Sequence, residues 1–188
     1  MTDMTAQPGA DGRRRCHWAL ATPDLLAYHD TEWGVPVRGD QAMFERLSLE
    51  GFQAGLSWLT VLRKRDALRE VFAGFDPVAV ADYGPGDVER LLADARIIRS
   101  RAKIEAVIGN ARAALELNEG LAQLVWRHAP DQHPTPTTMD DVPASTAEST
   151  ALAKALKKRG FRFVGPTTAY AAMQATGVVD DHLADCFR

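Results

Sequence analysis

From Asp40 onward, apolar residues recur at intervals that suit helices rather than strands. Met43, Phe44, Leu47 and Leu49 open a first helical stretch, with Asp40 as its expected N-cap and an end near Gly51. Leu56, Leu59, Thr60, Leu62, Leu68 and Val71 mark a second, which Gly74, Asp76 and Pro77 interrupt. Pro77 starts a shorter helix, and Val88, Leu91 and Leu92 predict a brief one between Gly86 and Ala95, with Asp87 able to cap it. A long helix opens near Ser100, where Ile104, Val107, Ile108, Ala111 and Leu115 form one stripe. The last two helices therefore meet across a short bend, Ala95 to Arg99. Helical character returns over Gln123–His128, from Ser149 to Gly160, and over Thr167–Thr176, with the polar, proline-rich stretch Pro130–Pro143 expected as a surface connection tolerant of insertions. No strand series and no internal repeat emerges, so the pattern predicts an all-α, orthogonal helical assembly.

Size and composition narrow this further. The chain has 188 residues, enough for one domain or two small helical lobes, and no apolar run approaches the length of a membrane span, which excludes a membrane protein. The opening residues are small and polar and lack the apolar core of a secretory signal. Residues 1–13 are accordingly expected to form a disordered tail, and the chain to reside in the cytoplasm as a monomer. A net charge of −3 means that any nucleic acid would have to be held by a local basic patch. Two candidates stand out. Arg96, Arg99, Arg101 and Lys103 surround the bend, and Lys154, Lys157, Lys158, Arg159 and Arg162 lie in a stretch without an acidic residue from Ser149 to Val179. A solvated helix face would explain the second cluster equally well.

Candidate chemistry comes from cysteine, histidine and a lone glutamate. Twelve residues separate Cys16 from His29 near one end, and three separate His182 from Cys186 near the other, which puts the latter pair one turn apart if that segment is helical. Two thiolates and two imidazoles would complete a closed tetrahedral zinc set with a structural role, clipping the chain ends together. Buried thiols with surface histidines fit the spacing as well, and His17, beside Cys16, rivals His29 as a ligand. Glu50 ends an apolar helix and precedes Gly51–Trp58. By itself it reads as a solvated helix-end charge.

Several separated motifs then agree in order. Cys16, Tyr28, His29, Asp30, Glu32, Trp33, Gly34, Val35 and Pro36, the run Glu50–Trp58, and Ile97, Ile98, Arg99, Arg101, Lys103, Ile104 and Asn110 resemble the bacterial 3-methyladenine DNA glycosylase I family. So do Lys157, Lys158, Arg159, Gly160, Phe161, Phe163, Val164, Gly165, His182 and Cys186. The resemblance covers nearly everything after the tail. It implies a helix-hairpin-helix DNA glycosylase-like fold over residues 14–188, with its lobes flanking a base pocket. It also implies a structural zinc ion on Cys16, His29, His182 and Cys186, which favours His29 over His17. Glu50 would recognise the base and be the catalytic candidate, Tyr28, Trp58 and Trp33 would wall the pocket, and Gly55 and Leu56 would face the DNA. Arg96, Arg99, Arg101, Lys103, Lys157 and Lys158 would contact its backbone. Arg96 stands where family members often carry glycine, a departure that bears on the shape of the hairpin turn.

Those residue types suit the implied reaction. Methylation at N3 makes adenine cationic and its sugar bond weak, so the base leaves without being protonated. Sorting the lesion from normal adenine after extrusion from double-stranded DNA is the harder task. A carboxylate favours the charged base over its neutral parent, and aromatic faces add a cation attraction of about 1–2 kcal/mol. The expected activity is monofunctional hydrolysis of the N-glycosidic bond, freeing 3-methyladenine without a covalent lysine intermediate. Two alternatives keep other roles open: a non-catalytic reader of damaged or bent DNA, and a zinc hydrolase or deaminase, which needs an accessible metal position.

Overall fold

The computed structural model describes residues 5–188, and within them nine α-helices carry the architecture. They are α1 (Pro23–Thr31), α2 (Asp40–Gln53), α3 (Trp58–Val71), α4 (Pro77–Ala81), α5 (Pro85–Ala93), α6 (Arg101–Leu115), α7 (Leu121–Trp126), α8 (Ala147–Lys158) and α9 (Pro166–Ala175). Short 3-10 turns at His17–Ala21, Ala73–Phe75 and Met139–Asp141 join them. The all-α expectation holds, with one small exception at the N-terminus.

That exception is a two-residue hairpin in which Gln7–Pro8 pairs antiparallel with Arg14–Arg15. It differs from the unstructured tail expected over residues 1–13, of which residues 1–4 lie outside the described residues. Ala6 is fully buried, and the buried Arg15 guanidinium is held by Asp11 at 2.7 and 2.8 Å and by Asp30 at 2.8 Å. A run of small polar residues carries no periodic signal for such an anchor, which depends on one arginine meeting a carboxylate four residues before it and another fifteen residues after it.

Helix α2 is the centre of the molecule. Every residue from Leu47 to Phe52 is buried, and the helix packs against α3, α6, α7 and α9. Met43, Phe44, Leu49 and Phe52 are sealed from solvent, so truncating Phe44 to alanine would cost about 3–5 kcal/mol through the cavity left behind. Its cap differs from expectation. Gly39 holds the N-cap position without a side-chain bond, while Asp40 accepts from the Ala122 amide at 2.8 Å and so steadies the start of α7. Elsewhere the caps are local: Ser57 accepts from Thr60, Asp76 from Val78, and Thr146 from Ser149.

Two further details position the site. Helices α5 and α6 form a helical hairpin around residues 94–100, with Ile97 buried inside the bend. The connection 130–143 was expected to be a plain surface loop, yet His133 bonds the buried Asp181 carboxylate at 2.8 Å, and the turn at Met139 faces inward. The final segment also departs from expectation. His182 to Cys186 is a turn, closed by the Cys186 amide on the Leu183 carbonyl at 2.7 Å, rather than a helix.

Candidate functional site

A cavity of about 390 Å³ opens where α1, the end of α2, the start of α3 and α9 converge. Its lining includes Trp18, Tyr28, Trp33, Glu50, Gln53, Trp58, Met139 and Gln174. The four residues expected to meet a base, Tyr28, Trp33, Glu50 and Trp58, are thus brought together from three helices and the chain just after α1. Tyr28 lies on the buried face of α1, 5.1 Å from Trp58 between ring centroids, and Trp18 meets Trp33 edge-on at 5.1 Å. The volume suits a flat heterocycle between aromatic walls. Trp18, Gln53, Met139 and Gln174 were not anticipated. Trp18 follows Cys16 by two residues and Gln53 lies within the Glu50–Trp58 run, so both had a positional signal. Met139 and Gln174 had none.

Glu50 sets the electrostatics. Its side chain is 6% exposed, lines the cavity, and makes no hydrogen bond or ion pair with any described residue. Burial pushes its carboxyl up to about 8, against a smaller opposing pull from Arg46. Arg46 Nη2 pairs with Glu32 at 2.9 Å, as Arg65 does at 2.7 Å, while Arg46 Nη1 is buried without a partner among the described residues. Tyr28 is also raised, first by desolvation and then by Glu50, so its hydroxyl stays a neutral donor or acceptor and makes no hydrogen bond among the described residues. The Trp58 indole nitrogen is buried without a partner. A carboxylate with nothing to pair with, among rings that favour cations, is arranged for a positively charged planar ligand.

Beside the cavity lies a second cluster. The ligating atoms of Cys16, His29 and Cys186 all fall within 4.8 Å of one another. Cys186 Sγ is 3.5 Å from His29 Nε2, close to the about 3.6 Å expected between a sulfur and a nitrogen on one tetrahedral zinc. His182 is outside that tight set, but its ring centroid is 5.0 Å from that of His29, and its Nε2 is buried without a partner. On both histidines Nδ1 is engaged by a carboxylate, His29 with Asp30 at 2.8 Å and His182 with Asp180 at 2.7 Å, which leaves each Nε2 lone pair directed inward. The Leu183 amide donates to Cys16 Sγ at 3.5 Å. Hydrogen bonding from Cys16 and His29 holds the Cys186 thiol below its ordinary value against its burial, while Cys16 is raised. These residues fit a metal. His17 is not part of the set. Gly34 is required here, because its φ is +77° and a Cβ would meet the His182 ring at 2.6 Å.

The expected DNA-facing residues divide into free and committed groups. Gly55, with φ +78°, and Leu56, 40% exposed, form the tip of the loop between α2 and α3. Arg99, Lys157 and Lys158 are exposed and unpaired among the described residues. Arg96 instead folds back onto Asp94 and Glu70, both at 2.8 Å, and Arg101 pairs with Glu89 at 2.7 Å. Lys103 turns inward, donating to the Phe52 and Ala54 carbonyls at 2.9 and 2.6 Å.

Comparison with known proteins points to one family. The sequence profile of the family described as methyladenine glycosylase matches residues 18–188. DNA-3-methyladenine glycosylase 1 of Escherichia coli (strain K12) is 52% identical over 178 residues, covering 92% of this chain and 95% of that protein. A crystal structure of 3-methyladenine DNA glycosylase I superposes with a TM-score of 0.88 at 49% identity, covering 92% of this chain and 98% of that one. A variant of 3-methyladenine DNA glycosylase I solved in complex with 3-methyladenine superposes with a TM-score of 0.87 at 33% identity, covering 92% and 96% of the respective chains.

Proposed function

Because the chain belongs to the methyladenine glycosylase family, we propose that its aromatic cavity receives 3-methyladenine extruded from alkylated DNA and that Glu50 selects it by charge. The protein is a base-excision repair glycosylase that hydrolyses the N-glycosidic bond of this lesion. The observation that carries the residue assignment is the buried Glu50 carboxyl, unpartnered among the described residues, in the cavity that Tyr28 and Trp58 also line. A cationic base supplies the counter-charge that lets Glu50 ionise, whereas beside neutral adenine the carboxyl, pushed up to about 8 by burial, keeps its proton and the attraction is lost. Among the described residues no lysine lines the cavity, which supports direct hydrolysis over attack by an amine.

Contact with duplex DNA is assigned to Gly55 and Leu56 in the pocket adjoining the cavity, where an apolar tip can fill the gap left by the extruded nucleotide. Arg99, Lys157 and Lys158 are the free cations suited to phosphate, and the bend between α5 and α6 serves as the helix-hairpin-helix element. A zinc ion on Cys16, His29, His182 and Cys186 would link the two chain ends as a structural crosslink. None of the four lines the cavity, which supports a structural rather than a water-activating ion.

The decisive experiment is chromatography of the bases freed from duplex DNA treated with a methylating agent. Wild-type protein releases 3-methyladenine, and folded Glu50→Gln releases it at least about 100-fold more slowly. Tight binding without base release would instead identify a reader of damaged DNA.

A further inference from the structure

Lys103 was expected to reach DNA, and its geometry assigns it elsewhere. It is the third residue of α6, directly after the bend that carries Arg99. Its ammonium donates to the carbonyls of Phe52 and Ala54, which belong to the C-terminal end of α2. Those carbonyls have no helical partner of their own, and a cation at the negative end of the helix satisfies them. The next residues are Gly55 and Leu56, an exposed tip that lines a pocket adjoining the cavity, and Gln53 between the two carbonyls lines both. Two turns along the same helix, Asn110 clamps the Arg162 backbone from both sides, at 2.8 and 3.0 Å. One face of α6 therefore fixes both the 53–57 loop and the 159–165 loop.

We propose that Lys103 is a positioning residue that ties the phosphate-binding hairpin to the Gly55–Leu56 tip, so that seating the hairpin on the DNA backbone sets the tip against the gap left by the extruded base. The coupling presupposes the excision activity proposed above. It acts through main-chain carbonyls, and Lys103 itself touches neither base nor phosphate. Burial lowers the Lys103 ammonium from its ordinary value, in keeping with a cation drawn out of water to serve internal acceptors.

The test compares Lys103→Met and Lys103→Arg with wild type in three measurements. Two are the affinity for free 3-methyladenine and the salt dependence of duplex binding. The third is nucleotide extrusion, read by 2-aminopurine fluorescence beside a non-cleavable 3-methyladenine analogue. The third needs no bond cleavage, so it reports on the tether even if excision itself were absent. Lys103→Met is expected to keep free-base affinity and the salt slope while lowering extrusion, and the excision rate with it, about tenfold or more, as misplacing a positioning element does. Lys103→Arg, which keeps a donor at the carbonyls, recovers part of that loss. A salt slope shallower by about 0.9 would make Lys103 a phosphate contact and overturn the tether. So would loss of free-base affinity alongside a lower melting temperature, which marks a residue needed only for folding, and so would unchanged extrusion.

Discussion

The cysteine–histidine cluster and the aromatic cavity share a wall, yet they treat buried polar groups in opposite ways. At the cluster, Asp30 and Asp180 hold the two Nδ1 atoms, Arg15 holds Asp30, and an amide holds Cys16. The Cys16, His29 and Cys186 donor atoms face one another there, and His182 Nε2 has no partner among the described residues, a set that one metal ion would complete. At the cavity, Glu50 has no partner among the described residues, and Arg46, one turn away, turns its Nη2 to Glu32 instead. Trp33 connects the two, its ring 4.6 Å from His182 and its other side lining the cavity. The first region is arranged for permanent closure and the second for a transient guest. The difference lies in whether the surrounding shell supplies counter-charge or withholds it.

Breaking the cluster should have the largest effect. Cys186→Ser, or stripping metal with a chelator, removes a crosslink whose binding free energy in structural zinc sites is about 10 kcal/mol or more. Metal analysis should find about one zinc per chain in wild type, and circular dichroism should show stability and activity falling together. If chelation abolished activity while the fold and melting temperature held, the ion would be catalytic and the contrast drawn above would collapse.

Glu50→Gln should sharpen the contrast by moving stability and activity apart. The amide keeps the shape of the side chain and discards the charge, so excision drops about 100-fold or more. Stability at pH 7 should rise by an amount on the order of 3 kcal/mol, because the folded protein no longer buries a group held near 8 instead of its ordinary 4.5. A variant that lost activity without gaining stability would mean that Glu50 is better compensated than its surroundings indicate.

These contrasts also show what could be read from the chain. Helical periodicity located the elements around α2, α3 and α6, because burial of one face repeats every few residues and leaves a local trace. Tyr28, Glu50 and Trp58 were legible only through the resemblance, since a lone glutamate at a helix end has the same local pattern whether it is solvated or buried. Arg96 and Lys103 show why the rest was hidden. Both looked like DNA contacts beside the bend, but Arg96 meets Glu70, 26 residues away, and Lys103 meets carbonyls 49 and 51 residues away. Asp40, likewise, caps a helix 82 residues downstream instead of its own. Pairings across such separations depend on tertiary packing, which no short window of sequence records.

A smaller effect probes the shell of the cluster. Asp180→Asn leaves all four donor residues in place but weakens the acceptor that orients His182 Nδ1. Metal affinity should fall about 10- to 100-fold, measured by chelator competition, with the cavity and its affinity for 3-methyladenine unchanged. A matching loss of base affinity would show that the two regions are coupled through Trp33 more tightly than their separate chemistry requires.

The smallest predicted change is a slope, and its sign follows from Glu50. The folded carboxyl holds its proton up to about 8, whereas the unfolded one releases it near 4.5, so between those values the unfolded chain binds fewer protons. Stability tied to this group is fully present below about 4.5 and is lost as pH rises toward 8. Relative to Glu50→Gln, wild type should therefore lose about 1.4 kcal/mol of unfolding free energy between pH 6 and pH 7, measured by urea titration at each pH. Activity should run the other way. The ionised carboxylate is the form that attracts a cationic base, so kcat/KM should climb with pH, pass half its maximum near 8 and level off above it. Opposite pH trends in stability and in kcat/KM, both absent in Glu50→Gln, would trace the two properties to one unpaired side chain. A pH-independent difference would place the origin of selectivity in the aromatic walls instead.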